Sequence, residues 1–134
     1  FNRFYAPDMD IENLTFTSSE VFSKPSDIRQ SLRWVGIISS KVEKIDISAS
    51  TGVHDGSGVV KQLLAGAETV QVCSTLYKNG FSQLNNILKE LKDWMNKHSF
   101  DSIDEFRGKM SYKKLDDPLV YERSQFMRYF SSIQ

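Results

Sequence analysis

Two short turns constrain this chain more than anything else in it. They are Ser50-Thr51-Gly52-Val53-His54-Asp55-Gly56-Ser57-Gly58 and Val72-Cys73-Ser74-Thr75-Leu76. Each lies between a run that reads as a strand and a run that reads as a helix. Strand, small turn and helix in alternation predict an α/β fold with parallel strands covered by helices. Glycine and small hydroxyl residues let the backbone approach an anion closely, and amide hydrogens donate to it without adding charge. Two such turns side by side, with a helix end pointing at the same spot, form a cradle for a phosphate. In parallel α/β barrels that cradle recurs after the last two strands.

The flanking residues support the alternation. Phe1-Asn2-Arg3-Phe4-Tyr5 reads as the end of a buried strand, or equally as a trimmed and frayed start. Pro7 to Ser19 reads as a long loop or an excursion of short strands, such as Leu14 to Thr17. Lys24-Pro25-Ser26-Asp27 opens a helix that runs to about Ser40, with proline in its first turn. Ile28, Leu32, Val35 and Ile37 or Ile38 give it a buried face. Ile45 to Ala49 is a predicted strand. A helix carrying Val59, Val60, Leu63 and Leu64 follows, capped by Asp55 or Ser57 and ended by a left-handed Gly66. Thr69 to Val72 is the next predicted strand.

The most regular helical pattern spans Ser82 to about His98, with Leu84, Ile87, Leu88, Leu91, Trp94 and Met95 on one stripe. His98 then sits favourably against the negative end of that helix. Ser102-Ile103-Asp104-Glu105 is a capping-box pattern for a short helix. Asp116-Asp117-Pro118 breaks the chain, and Leu119 to Phe130 reads as an aromatic-rich final helix.

With 134 residues and 40% hydrophobic content, the chain suffices for one core. Lysine plus arginine balances aspartate plus glutamate at 17 each, which argues against nucleic-acid and polybasic membrane-surface binding. No apolar run approaches the roughly 18 residues of a membrane span. No signal-peptide pattern opens the chain, and the lone Cys73 suits a reducing compartment, so a cytoplasmic location is expected. Cys73 reads as a small buried residue rather than a nucleophile. His54 reads as a solvent-facing loop residue, since no carboxylate or nucleophile pairs with it in the sequence. No metal-ligand set is assigned.

Five segments in fixed order carry a resemblance: Thr51-Gly52-Val53, Leu63-Leu64-Ala65-Gly66-Ala67, Val70-Gln71-Val72, Leu76-Tyr77-Lys78-Asn79-Gly80 and Ser102-Ile103-Asp104-Glu105-Phe106-Arg107-Gly108-Lys109. Together they resemble the carboxy-terminal part of class 1 dihydroorotate dehydrogenases and their divergent relatives, closely from about Ile45 to Ser111. The resemblance implies the last three strand–helix units of a flavin-binding (β/α)8 barrel spanning residues 1–134, with 112–134 a helical tail. It implies an oxidoreductase of pyrimidine biosynthesis that passes a hydride from dihydroorotate, or a related dihydropyrimidine, to FMN. By the same resemblance, Thr51, Gly52, Val53, Cys73, Ser74 and Thr75 hold the FMN phosphate and Asn2 reaches the substrate.

The chain departs from the family pattern at three places. Thr51 stands at the first of two usual glycines, Cys73 replaces another, and Arg3 replaces a serine that contacts substrate. A β-branched residue tolerates positive φ poorly, so Thr51 should alter the first turn. Arg3 would change the substrate pocket or bind a substrate carboxylate in a bidentate way. The family's catalytic base and flavin-contacting lysine belong to earlier strands, so no catalytic residue is assigned and the chain alone is expected to be inactive. A barrel of this type needs about 250 residues. The expected partner is therefore the rest of a barrel or another copy, because an incomplete barrel leaves strand edges unpaired. Two other readings stay open: a flavin-free barrel acting on a sugar phosphate, and a non-enzymatic module that associates through its amphipathic helices.

Overall fold

The structure, a computed structural model, describes residues 7–18, 21–116 and Tyr121. Asn2, Arg3 and nearly all of the predicted final helix lie outside these residues. Strands β1 (Pro7–Asp10) and β2 (Thr15–Ser18) form an antiparallel hairpin with Asp10 opposite Thr15. Asp10 closes its turn by accepting from the N–H groups of Glu12 and Asn13 and from the Asn13 amide. Those bonds hold the Asp10 carboxyl below the usual carboxylate range. The hairpin leaves Met9, Ile11, Leu14 and Phe16 exposed.

A 3-10 turn over Pro25–Asp27 leads into α1 (Ile28–Lys41). The Lys24-Pro25 start was legible because proline at N1 gives up no helical hydrogen bond. Ile28 and Val35 are buried as expected. Strand β3 is shorter than the predicted Ile45–Ala49, covering only Ser48–Ala49. It pairs in parallel with β4 (Thr69–Val70), Ser48 opposite Thr69 and Ala49 opposite Val70. Ile47 extends the contact irregularly, its carbonyl accepting from both Glu68 and Thr69 N–H groups. Two donors on one carbonyl are incompatible with a regular parallel ladder, which ends the strand there.

Helix α2 (Gly56–Ala65) makes the crossover between β3 and β4. Of the two predicted caps, Asp55 is the one used, accepting from Gly58 N–H at 2.7 Å. Gly66 ends the helix at φ 109, in the left-handed conformation expected of it. Two α2 carbonyls near that end, those of Leu63 and Leu64, accept from Gly108 and Met110 N–H groups at 2.9 Å each. The segment after the last long helix thus folds back onto α2. Phe106, fully buried, anchors it there and meets Trp94 edge to face with centroids 5.0 Å apart.

The second turn passes into α3 (Ser74–Asn79), followed by α4 (Gln83–Lys97). Ile87 and Leu91 of α4 are buried and Trp94 and Met95 half-buried against the same core, while Leu84 and Leu88 are exposed. The predicted stripe is therefore narrower: α4 meets the core along Ile87, Leu91, Trp94 and Met95. The core gathers Ile28, Val53, Val59, Val60 and Leu63 around the α4 residues and Phe106. His98 caps the end of α4 and packs on the Trp94 ring at 4.6 Å. Ser102 is not a side-chain cap; Glu105 instead accepts from Asp101 N–H, and a 3-10 turn covers Ile103–Glu105. Tyr112–Lys114 form a further 3-10 turn.

Among the described residues this is a mixed α/β arrangement, with one β–α–β unit supporting both turns. No described helix is long and apolar enough to cross a membrane.

Candidate functional site

The turns follow two hydrogen-bonded parallel strands, so their starts are one strand spacing apart, about 4.8 Å. Side chains then join them directly. Thr75 Oγ1 donates to the His54 carbonyl at 3.0 Å and accepts from Asn79 Nδ2 at 3.1 Å. Gln83 Nε2, from α4, donates to the same His54 carbonyl at 3.1 Å. Thr75 is completely buried, so its hydroxyl fastens one turn to the other and is not offered to a ligand.

The first turn owes its shape to two successive left-handed residues, Thr51 and Gly52, both at φ 76. Gly52 has to be glycine for a second reason: a Cβ there would collide with Ile28 N and lie 2.7 Å from Ile28 Cα. The turn is thus pressed against the backbone at the start of α1. Thr51 adopts the glycine-like conformation despite its branched side chain, so the expected alteration of the turn is absorbed as strain instead. A Ser31 hydroxyl 3.4 Å from the Thr51 carbonyl, itself receiving Gln62 Nε2 at 2.7 Å, holds the turn from behind. Val53 points into the core.

These contacts leave the backbone N–H groups of Gly52, Val53 and His54 without an acceptor among the described residues. Gly52 and Val53 are buried residues, and donors inside folded chains usually have an acceptor, so these amides are the groups of the turn open to a ligand that accepts. At the N-terminus of α2, by contrast, two of the leading N–H groups already have carboxylate acceptors. Gly56 N–H donates to Glu90 Oε2 at 2.7 Å and Gly58 N–H to Asp55. The expectation that the positive end of this helix faces a ligand is corrected accordingly: two carboxylates occupy it.

Two further sequence readings are corrected. Cys73 is exposed rather than buried, because it precedes α3 at the lip of the second turn. His54 is half-buried rather than solvent-facing, with Nε2 3.2 Å from Ser23 Oγ. Ser23 also meets Ser74: both its N–H and its hydroxyl donate to Ser74 Oγ, each at 3.0 Å. Ser23 and Glu90 were missed from sequence because they lie 51 and 34 residues along the chain from the groups they bind. No local pattern could have marked them. Of the seven residues singled out, six line the paired turns and Asn2 lies outside the described residues.

No family model matches this chain. Curated relatives do. Dihydropyrimidine dehydrogenase (NADP(+)), chloroplastic, of Arabidopsis thaliana is 38% identical over 66 residues, 49% of this chain and 16% of that protein. Probable dihydroorotate dehydrogenase A (fumarate) of Streptococcus pneumoniae is 39% identical over 69 residues, 52% of this chain and 22% of that protein. Dihydroorotate dehydrogenase (fumarate) of Saccharomyces cerevisiae is 37% identical over 68 residues, 51% of this chain and 22% of that protein. The chain thus spans no more than about a fifth of the length of these relatives. About half of it is similar to one portion of these dihydroorotate and dihydropyrimidine dehydrogenases.

Proposed function

We infer that this chain supplies the phosphate-holding end of an FMN-dependent, dihydroorotate-dehydrogenase-like oxidoreductase of pyrimidine metabolism. One observation carries the reading: two adjacent strand–helix turns are locked together by the Thr75–His54 bond, while three consecutive N–H groups, Gly52 to His54, have no acceptor among the described residues. That donor set fits the phosphate of FMN, whose oxygens only accept. The similarity to named dehydrogenases over half the chain supports the flavin rather than another phosphate ester.

The chemistry FMN would supply when bound is hydride acceptance, and this chain's residues would anchor and orient it. Gly52, Val53 and His54 would donate amides to the phosphate, and Ser74 its hydroxyl. Thr51 would hold Gly52 in its left-handed turn, and Cys73 would border the site. Thr75 would maintain the spacing between the turns rather than touch the ligand. Asn2 would reach the substrate, dihydroorotate or a related dihydropyrimidine. The remaining units of a (β/α)8 barrel would come from elsewhere in the polypeptide or from another copy, giving a cytoplasmic enzyme in which 1–134 is the partial barrel and 112–134 its tail.

Purified protein carrying the reading should show visible flavin absorbance, and its apo form should quench FMN fluorescence. A colourless protein that binds sugar phosphates and ignores FMN would replace the flavin reading with a sugar-phosphate one. The 134-residue chain without any other polypeptide should turn over no dihydroorotate. Steady-state turnover by that chain alone would refute the partial-barrel reading.

A further inference from the structure

The cluster that joins the segment before α1 to both turns has a direction. Ser74 Oγ accepts from the N–H and from the hydroxyl of Ser23, each at 3.0 Å. A hydroxyl oxygen has two lone pairs and one proton, so Ser74 has no acceptor capacity left. Its own proton must leave the cluster, and among the described residues no acceptor receives it. Ser23, having given its single hydroxyl proton to Ser74, must in turn be the acceptor in its 3.2 Å contact with His54 Nε2. That direction requires the His54 tautomer with its proton on Nε2.

We propose that His54 and Ser23 are positioning residues for the phosphate site, forming a one-way chain, His54 to Ser23 to Ser74, that turns Ser74 into a fixed donor. The proposal rests on the phosphate reading above. A serine hydroxyl ordinarily rotates and serves donors and acceptors alike. With both lone pairs filled, Ser74 can serve only a ligand that accepts, which favours an oxyanion over a group that can only donate, such as an ammonium. Serial donors also polarise one another, so Ser74 donates more strongly to an anion than an isolated serine would. The chain is held in place independently of any ligand. Ser23 is buried, the adjacent Phe22 packs on Tyr77 of α3 at 5.4 Å, and the His54 carbonyl is pinned by Thr75 and Gln83. The ligand class is a phosphate monoester, and the contribution of the chain should appear only when that phosphate is present.

The test uses the whole polypeptide and two probes, FMN and riboflavin, which differ in the phosphate alone. The ratio of their affinities isolates the phosphate contribution, and inorganic phosphate serves as competitor. Hydrogen bonds to charged groups are strong enough that Ser74→Ala should lower the ratio by about tenfold or more. His54→Ala and Ser23→Ala should each lower it several-fold, and adding either to Ser74→Ala should lower it little further. His54→Gln, whose amide nitrogen reaches about as far as Nε2, should restore most of it. Riboflavin affinity should stay near the wild-type value in all variants that fold.

A ratio well above one that neither His54→Ala nor Ser23→Ala changes overturns the relay and leaves the phosphate site standing. Equal losses for FMN and riboflavin, without rescue by glutamine, would reduce the cluster to a structural role and also overturn it. Equal affinities in the wild type, with no competition from inorganic phosphate, would overturn the phosphate site and the relay with it.

Discussion

Gly52→Ala tests how tightly the first turn is held. A Cβ at this position would collide with Ile28 N and stand 2.7 Å from Ile28 Cα and 2.8 Å from the Asp27 carbonyl carbon. All three are backbone atoms at the start of α1, so no side-chain rotation relieves the overlap. Either the turn or the helix must move, and forced repacking of this kind costs about 1–3 kcal/mol. The left-handed φ of 76 costs a residue with a Cβ about 1–2 kcal/mol more. Alanine returns about 0.5–1 kcal/mol by stiffening the unfolded chain. The net expectation is a loss of about 1–4.5 kcal/mol, a large share of the roughly 5–15 kcal/mol of a typical domain.

Urea unfolding followed by tryptophan fluorescence and by circular dichroism measures this loss directly. Gly108→Ala is the control. Gly108 also has positive φ, 68, but the nearest atom to its Cβ would be Gly66 Cα at 3.8 Å, an ordinary contact. It should therefore show only the conformational part, about 1 kcal/mol. Equal losses for the two variants, or a Gly52→Ala loss under about 1 kcal/mol at unchanged denaturant sensitivity, would show that the turn is not pressed against α1.

Thr51→Gly should raise stability by about 0.5–1 kcal/mol, because relief of a strained positive φ exceeds the entropy a new glycine costs; a lower unfolding midpoint would contradict the strain. Glu90→Ala should cost about 1 kcal/mol by removing the acceptor of Gly56 N–H, and Glu90→Gln, which keeps an acceptor, less than half of that. Similar losses for the two would show that the bond is not what Glu90 supplies. Tyr121, half-buried with its hydroxyl donating to the Met110 carbonyl at 2.7 Å, has its phenol pushed above the ordinary value by burial. A raised folded-state pKa means its contribution is intact below about pH 10 and is lost as pH rises beyond it. Alkaline titration of stability should show that extra fall in the wild type and a shallower one in Tyr121→Phe.

Local rules carried the reading furthest where the responsible residues are close in sequence. Pro25 marked the start of α1, Asp55 the cap of α2 and Gly66 its end, each from its own stereochemistry. The alternation of short strands and helices was enough to predict the parallel β3–β4 pair. Cys73 went wrong because burial was judged from residue type, whereas its place before a six-residue helix exposes it. Leu84 and Leu88 went wrong because periodicity tells which residues share a face but not how much of that face a neighbour covers.

Residue order alone determined that two small, glycine-bearing turns follow neighbouring strands, since backbone preferences and periodicity act over a few positions. Only the tertiary structure decided what each turn residue does. It placed Thr75 between the turns, set Glu90 on the end of α2, and brought Ser23 to His54 and Ser74. Those roles depend on hydrogen bonds between segments 21 to 51 residues apart, whose partners are chosen by how helices pack on the β–α–β unit.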